Sequence, residues 1–184
     1  MNWFYLFRNR RAAARLLGDP HLTKMPLETT QLLSNVYHVH QAKLKPCPYK
    51  PTHLHHPWTI WACRRKRNFL HMAAYGLALC IEFRLRRGKA HGCEKHIINM
   101  LRNPPKFNKR LRPSQKPRTR MAWAGKFKIP LCMPEEFHCD NATLAYRKYY
   151  FAKVVELAKR DGFHRYYKSP VTFVKLARVA SATK

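Results

Sequence analysis

The stretch PWTIWACRRKRNFLHMAAYGLALCIEFRLRRG, residues 57–88, decides the fold class. Within it Ile60, Trp61, Phe69, Met72, Leu79 and Phe83 recur every three or four residues, the spacing that sets side chains on one face of a helix. Pro57 suits a first helical position, where its missing N–H costs nothing, and Gly88 suits the residue after a last turn. The pattern predicts a single long helix over 57–88, central to the core.

On the N-terminal side, Ala12, Ala13, Leu16 and Leu17 are spaced for a short helix over 8–17 that Gly18 closes. Pro26 opens a second helix with Leu27, Leu32, Leu33, Val36 and Val39 as its apolar stripe, fading near His40. A polar loop marked by Pro46, Pro48 and Pro51 separates it from the long helix. On the C-terminal side a shorter helix over 91–101 stops at Pro104-Pro105, which cannot continue the hydrogen-bond ladder. Residues 103–134 hold six prolines and many cations with little periodicity, which reads as an extended basic arm. Asp140 is placed to cap a helix reaching about Arg160 and ending at Asp161-Gly162, and Ser169-Pro170 announces a last basic helix. No strand pattern rivals these signals. The expected class is mainly α: a single compact helical domain with its core in 1–102, the Pro-rich arm in 103–134, and C-terminal helices and a basic tail in 135–184.

Charge decides which partners to consider. Thirty-seven Lys and Arg face nine Asp and Glu, a formal net charge of +28 spread over 184 residues. A surplus of that size attracts polyanions and repels itself, so nucleic acid or an acidic protein is the expected partner. With 46% apolar and 12% aromatic residues, the chain is too hydrophobic for a disordered basic tail. Six cysteines without a secretory start read as reduced thiols, and no apolar run approaches the roughly 20 residues that span a bilayer. The Arg/Ala-rich opening also resembles a mitochondrial presequence, although residues 3–7 are unusually aromatic for one.

The densest chemistry lies in Asp19, His21, Lys24 and Glu28, a carboxylate, an imidazole, an amine and a second carboxylate around one helix start. Such groups can serve acid/base or Schiff-base catalysis. They also suit a structural role, with Asp19 capping, Lys24 and Glu28 paired at i and i+4, and His21 packed. His53, His55, His56, His91, Cys93 and His96 offer metal ligands, but without a paired Cys-x-x-Cys knuckle they are read as no metal site. Neither a phosphate-cradling loop nor a dinucleotide glycine fingerprint is present, so no cofactor is expected. For polyanion binding the candidates are Arg64, Arg65, Lys66 and Arg67, then Lys106, Lys109, Arg110, Arg112, Lys116, Arg118 and Arg120 on the arm. Arg147, Lys148, Lys153, Lys159 and Arg160 follow on the late helix. Aromatic residues interleave with the last group; Tyr146 and Tyr150 are assigned to packing and not to base stacking.

Several motifs occur together: Met1-Asn2-Trp3-Phe4-Tyr5; Asp-x-His-x-x-Lys-Met-x-x-Glu at 19–28 with Gln31-Leu32-Leu33-Ser34; Thr52-His53 with His56-Pro57 and Trp61; Arg87-Gly88-Lys89 with His91; and Ala145-Tyr146-Arg147-Lys148-Tyr149-Tyr150. In this order they resemble a family of small proteins of phages and large DNA viruses, some labelled pyrimidine-dimer DNA glycosylases. The resemblance covers most of residues 1–150 and implies that His53, His56, Trp61, Lys89, His91 and Arg147 form a family cluster beside the residues of 19–28. The departures run from acid to base: Phe7-Arg8-Asn9-Arg10 replaces an acidic segment, Gly18-Asp19-Pro20-His21 replaces a Cys-Asp-Lys-His run, and Cys63-Arg64-Arg65-Lys66-Arg67 replaces an acid after Trp-x-Arg. An acid/base site depends on its carboxylates, so these changes favour binding over catalysis.

Two functions are therefore expected, in order. The first is a non-enzymatic virion component, a minor capsid or internal protein that binds packaged nucleic acid, most simply DNA without sequence preference, or acidic capsid partners within a large assembly. The second is a glycosylase/lyase-like repair enzyme with Lys24 as nucleophile, assisted by Asp19 or Glu28. The corresponding locations are the virion, or otherwise the host nucleus or cytoplasm; an organellar or ribonucleoprotein particle is a further setting.

Overall fold

The residue that interrupts the 57–88 stretch is Arg65. In the computed structural model, which describes residues 3–42, 48–111, 113, 119–162, 167 and 177–178, Arg65 adopts φ −151° and ψ 140°, extended backbone. Two helices result, α3 (Pro57–Arg64) and α4 (Lys66–Arg87), where the sequence predicts one. A break strands carbonyls that the ladder would have used. Here side chains take them: Asn68 Nδ2 donates to the Trp61 carbonyl at 2.8 Å, and His40 Nε2 is 2.9 Å from that of Cys63. The run Arg64-Arg65-Lys66-Arg67 therefore occupies a corner and not a helix flank.

Two helices precede the corner. Asn9 caps α1 (Arg10–Leu16) by accepting from the Ala12 N–H. Helix α2 (Asp19–Val39) begins seven residues before the expected Pro26, which lies inside it. Pro26 removes one ladder bond, a loss offset by the burial of Leu22, Met25, Leu32, Leu33 and Val36. Gly18 is extended, at φ −64° and ψ 153°, and is the N-cap of α2 instead of a left-handed close to α1. Helices α2 and α4 pack along each other at the centre, with α5 (Glu94–Arg102) against both. Gly76 permits this approach: a Cβ there would lie 2.9 Å from Thr29 Cγ2 and 3.0 Å from Ile97 Cδ1.

Residues 3–6 precede the first helix and are buried in the core. The Trp3 indole donates to Thr29 Oγ1 at 3.1 Å and meets Trp58 and Tyr75 edge-on, at ring separations of 4.4 and 4.8 Å. Tyr75 donates to the Phe4 carbonyl and Arg147 to that of Leu6. The chain's opening is thus built into the helical core.

The expected extended arm is the second correction. Its described part contains a 3₁₀ turn at Lys109–Leu111 and an antiparallel hairpin of β1 (Met121–Ala124) and β2 (Phe127–Pro130). The two-residue turn Gly125-Lys126 uses a left-handed Gly125, φ 64°, with the Arg8 guanidinium packed over it. Ala122, Ala124 and Ile129 point inward and are buried, while the cross-strand pair Trp123 and Lys128 points outward. Tyr146 of α6 (Ala142–Asp161) anchors the hairpin's end, donating to the Pro130 carbonyl at 2.7 Å and accepting from the Cys132 N–H. Asn141, not Asp140, caps α6 by accepting from the Leu144 N–H. Tyr146 and Tyr150 are both core residues. Arg112, Lys116 and Arg118, and the start of the helix expected at Ser169-Pro170, lie outside the described residues.

The fold is therefore mainly helical with one small two-stranded sheet. Among the described residues no helix is long and apolar enough to cross a membrane.

Candidate nucleic-acid interface

The α3–α4 corner and the neighbouring edge of the hairpin enclose a cleft of about 510 Å³. Its helical wall is Trp61, Arg64, Arg65, Arg67 and Asn68, and its hairpin wall includes Met121, Trp123, Phe127 and Lys128. No described lining residue is acidic. The two walls are joined at the base, where the Trp61 indole donates to the Lys128 carbonyl at 2.7 Å. Because the Lys128 backbone is held by this bond and by its pairing to Trp123, the backbones of the helical corner and of the hairpin keep a fixed relation.

Electrostatics there are unbalanced. Helix α4 starts at the corner without a side-chain cap and without an acid in its first turn. A helix N-terminus carries a partial positive charge, so Arg65, Lys66 and Arg67, all exposed, raise a potential already unfavourable to them. An anion in the cleft would relieve that. Two cations are poised over rings: the Arg67 guanidinium lies 5.8 Å from the centre of Phe127, and Lys128 Nζ lies 5.8 Å from that of Trp123. Trp123 itself is 58% exposed, whereas Trp3, Trp58 and Trp61 are nearly or fully buried.

Beneath the cleft sits His71, stacked 4.2 Å from the Phe127 ring centre, with Arg10 Nη1 3.3 Å from its Nδ1. Burial, and then the Arg10 charge, lower the His71 pKa from 6.5 to about 4, so the ring is neutral near pH 7.

The four residues considered for catalysis lie elsewhere and point to different partners. Asp19 pairs with Arg86 at 3.2 Å, tying α2 to α4, and Lys24 pairs with Glu28 at 3.1 Å along α2. His21 shares a hydrogen bond with the Tyr150 hydroxyl at 3.0 Å and packs edge-on to Phe4. Burial, then Lys153 and Lys24, bring His21 from 6.5 to about 4. None of the four lines the cleft.

The residue that organises this region, Arg86, carries no signal in the motifs. Its guanidinium bonds Glu82 Oε1 at 2.8 Å and Asp19 Oδ1 at 3.2 Å, and donates to the carbonyls of Leu17 and Arg15 at 2.7 and 2.8 Å. It caps α1 as a cation should at a helix C-terminus. Only contact between distant segments reveals it.

The other expected site residues are dispersed. His56 caps α3 by accepting from the Trp58 N–H, and His53 holds a left-handed turn before it at φ 50°. His91 bonds the Thr23 carbonyl, Arg147 stacks 4.0 Å from Phe7, and Lys89 is exposed. Lys106, Lys109 and Arg110 are exposed, while Arg120 is paired with Asp140 and Arg160 with Asp161. Among the described residues no group of three or more His, Cys, Asp or Glu is placed to hold a metal ion. Cys63, Cys80 and Cys132 are free thiols that burial pushes up to about 12, so they are protonated and unreactive at neutral pH.

The structure thus brings together Arg64, Arg65 and Arg67 from the sequence-derived set and adds Trp123, Phe127 and Lys128. The signal for the additions was the alternation in Met121-Ala-Trp-Ala-Gly-Lys-Phe-Lys-Ile-Pro around a Gly-Lys turn. Comparison of the chain with family models, curated proteins and solved structures finds no match.

Proposed function

We propose that this chain is a non-enzymatic nucleic-acid-binding protein that works as a structural component, a minor capsid or internal protein of a virion, with the α3–α4 corner as its principal contact. The cleft itself carries the reading: three arginines and a lysine converge around an exposed indole with no acid among the described lining residues. Guanidinium groups bond phosphate oxygens in pairs, and each phosphate neutralised releases counterions, so affinity comes from charge and falls with salt. The virion setting rests on the resemblance of the 19–28, 52–61 and 145–150 motifs to the viral family. Acidic capsid subunits are the other polyanion this surface suits.

The engagement of Asp19 with Arg86 and of Glu28 with Lys24 weighs against a repair enzyme, which would need those carboxylates at the reacting atoms. Incubation with duplexes containing thymine dimers or abasic sites in the presence of borohydride should trap no adduct; an adduct lost in Lys24→Ala would favour the enzyme.

Oligonucleotide binding measured against salt tests the main reading. Four phosphate contacts predict that log K falls by roughly 3 units or more per unit of log salt, and Arg65→Ala/Arg67→Ala should remove roughly 1.5 of them. A flat response would leave an acidic protein as the partner. Mass spectrometry of purified virions should find the chain in the particle.

A further inference from the structure

Resting on the proposal that the cleft binds nucleic acid, we infer that its occupant is a single strand whose unpaired base stacks on Trp123. The Trp123 indole is 58% exposed, so an aromatic face large enough to stack on a base is open at the cleft. The strand that carries the ring is anchored on both of its edges. The Trp123 N–H donates to the Asp140 carbonyl at 3.1 Å on one strand edge, and Lys128 pairs with it on the other. An anchored backbone sets the indole at one place on the cleft wall, so a base meets it without rearrangement of the hairpin.

Charge complementarity limits the occupant to an anion, and the ring limits it further. Arg64, Arg65 and Arg67 stand across the cleft from Trp123, and Lys128 Nζ sits over one face of its ring at 5.8 Å from the centre, so a base takes the other face or displaces the lysine. A strand entering here sets phosphates against the guanidinium groups while a base reaches the indole. In a duplex the base faces are already stacked on one another, so its phosphates could touch the rim but no face would be offered to the ring. A cleft of about 510 Å³ is the size of a small-molecule site and suits one or two nucleotides. Stacking ignores base identity and sugar, so the contact is sequence-tolerant and indifferent to DNA or RNA.

The experiment measures fluorescence anisotropy of labelled dT12, rU12 and a 12-base-pair duplex with the full chain at fixed salt. Trp123→Ala should weaken dT12 and rU12 by about tenfold each, within the range measured for one aromatic–base stack, and change the duplex by less than twofold. Trp123→Phe keeps a ring and should retain most of the affinity. Intrinsic tryptophan fluorescence gives a second readout: dT12 should quench the wild type more strongly than Trp123→Phe, in which Trp61 is the one indole left in the described cleft wall. Equal weakening of single strand and duplex, or no change in any ligand, overturns the single-strand inference. If Arg65→Ala/Arg67→Ala leaves all three ligands unaffected, the cleft is not a nucleic-acid site and the proposed function falls with it.

Discussion

At its C-terminal end α4 turns Arg84 onto Glu94 at 2.9 Å and Arg86 onto Glu82 and Asp19 at 2.8 and 3.2 Å. At its N-terminal end, about 27 Å away along the axis, Arg65 and Arg67 face a cleft whose described lining includes no acid. One helix therefore carries arginines in two environments. Of the nine acids in the chain, Asp19, Glu28, Glu82 and Glu94 are all engaged with cations around α2 and the far end of α4. The lesson is that a net charge of +28 is not evenly available. Acids are placed where arginines hold the fold, and none is among the described residues that line the cleft.

The strongest way to break this comparison is at Arg86. Arg86→Ala should destabilise the fold by about 3–5 kcal/mol, because it leaves the largely buried Asp19 and the end of α1 without their cation and Glu82 with Arg15 alone, at 3.9 Å. Urea unfolding would read the loss, and a change under 1 kcal/mol would show that this end is not structural. Oligonucleotide affinity at a temperature where the variant is folded should be unchanged.

Protonation gives a smaller, shared effect. His21 and His71 both titrate near 4 in the folded chain against 6.5 when unfolded, so the unfolded state binds more protons between those values. Stability should be full above pH 6.5, fall as pH drops towards 4 by at most about 1.4 kcal/mol per unit per histidine, and lose nothing further from these groups below that. Thermal midpoints across this range would check it, and His71→Gln should flatten part of the slope. An unchanged slope would place the effect elsewhere.

The smallest effect on stability should come from the opposite end of α4. Arg65→Ala/Arg67→Ala removes exposed cations from a helix N-terminus and should shift unfolding free energy by less than about 0.5 kcal/mol, in the stabilising direction. The same variant should lose binding. A large loss of stability would mean that the corner arginines are structural after all.

The same contrast explains what could be read from the sequence. Periodicity in 27–39 and 69–83, and the capping signals at Asp140 and Asp161-Gly162, placed the central and late helices, because apolar stripes and caps are written locally. The break at Arg65 was not legible: arginine and lysine favour helix, and the groups that take the freed carbonyls, Asn68 and His40, reveal themselves only in three dimensions. Pro26 looked like a helix start because proline suits one, yet burial of the α2 face outweighed its missing bond. The hairpin was hidden among prolines and cations that described an arm well on average, although Ala122, Trp123 and Ala124 alternate as a strand should. Of the interface, the arginines were visible as a charge run, but Trp123 and Lys128 gained meaning only when the hairpin was set against α3.

The most direct test of the account is a pair of variants with the same change in net charge. Arg65→Glu/Arg67→Glu reverses two cations at the cleft, and Lys95→Glu/Arg102→Glu reverses two exposed cations on α5 that do not line it. Measured with dT12 at one salt concentration, the first pair should weaken binding by a hundredfold or more and the second by less than fivefold. Equal losses would mean that the chain binds through its overall field, and would contradict a site at the α3–α4 corner.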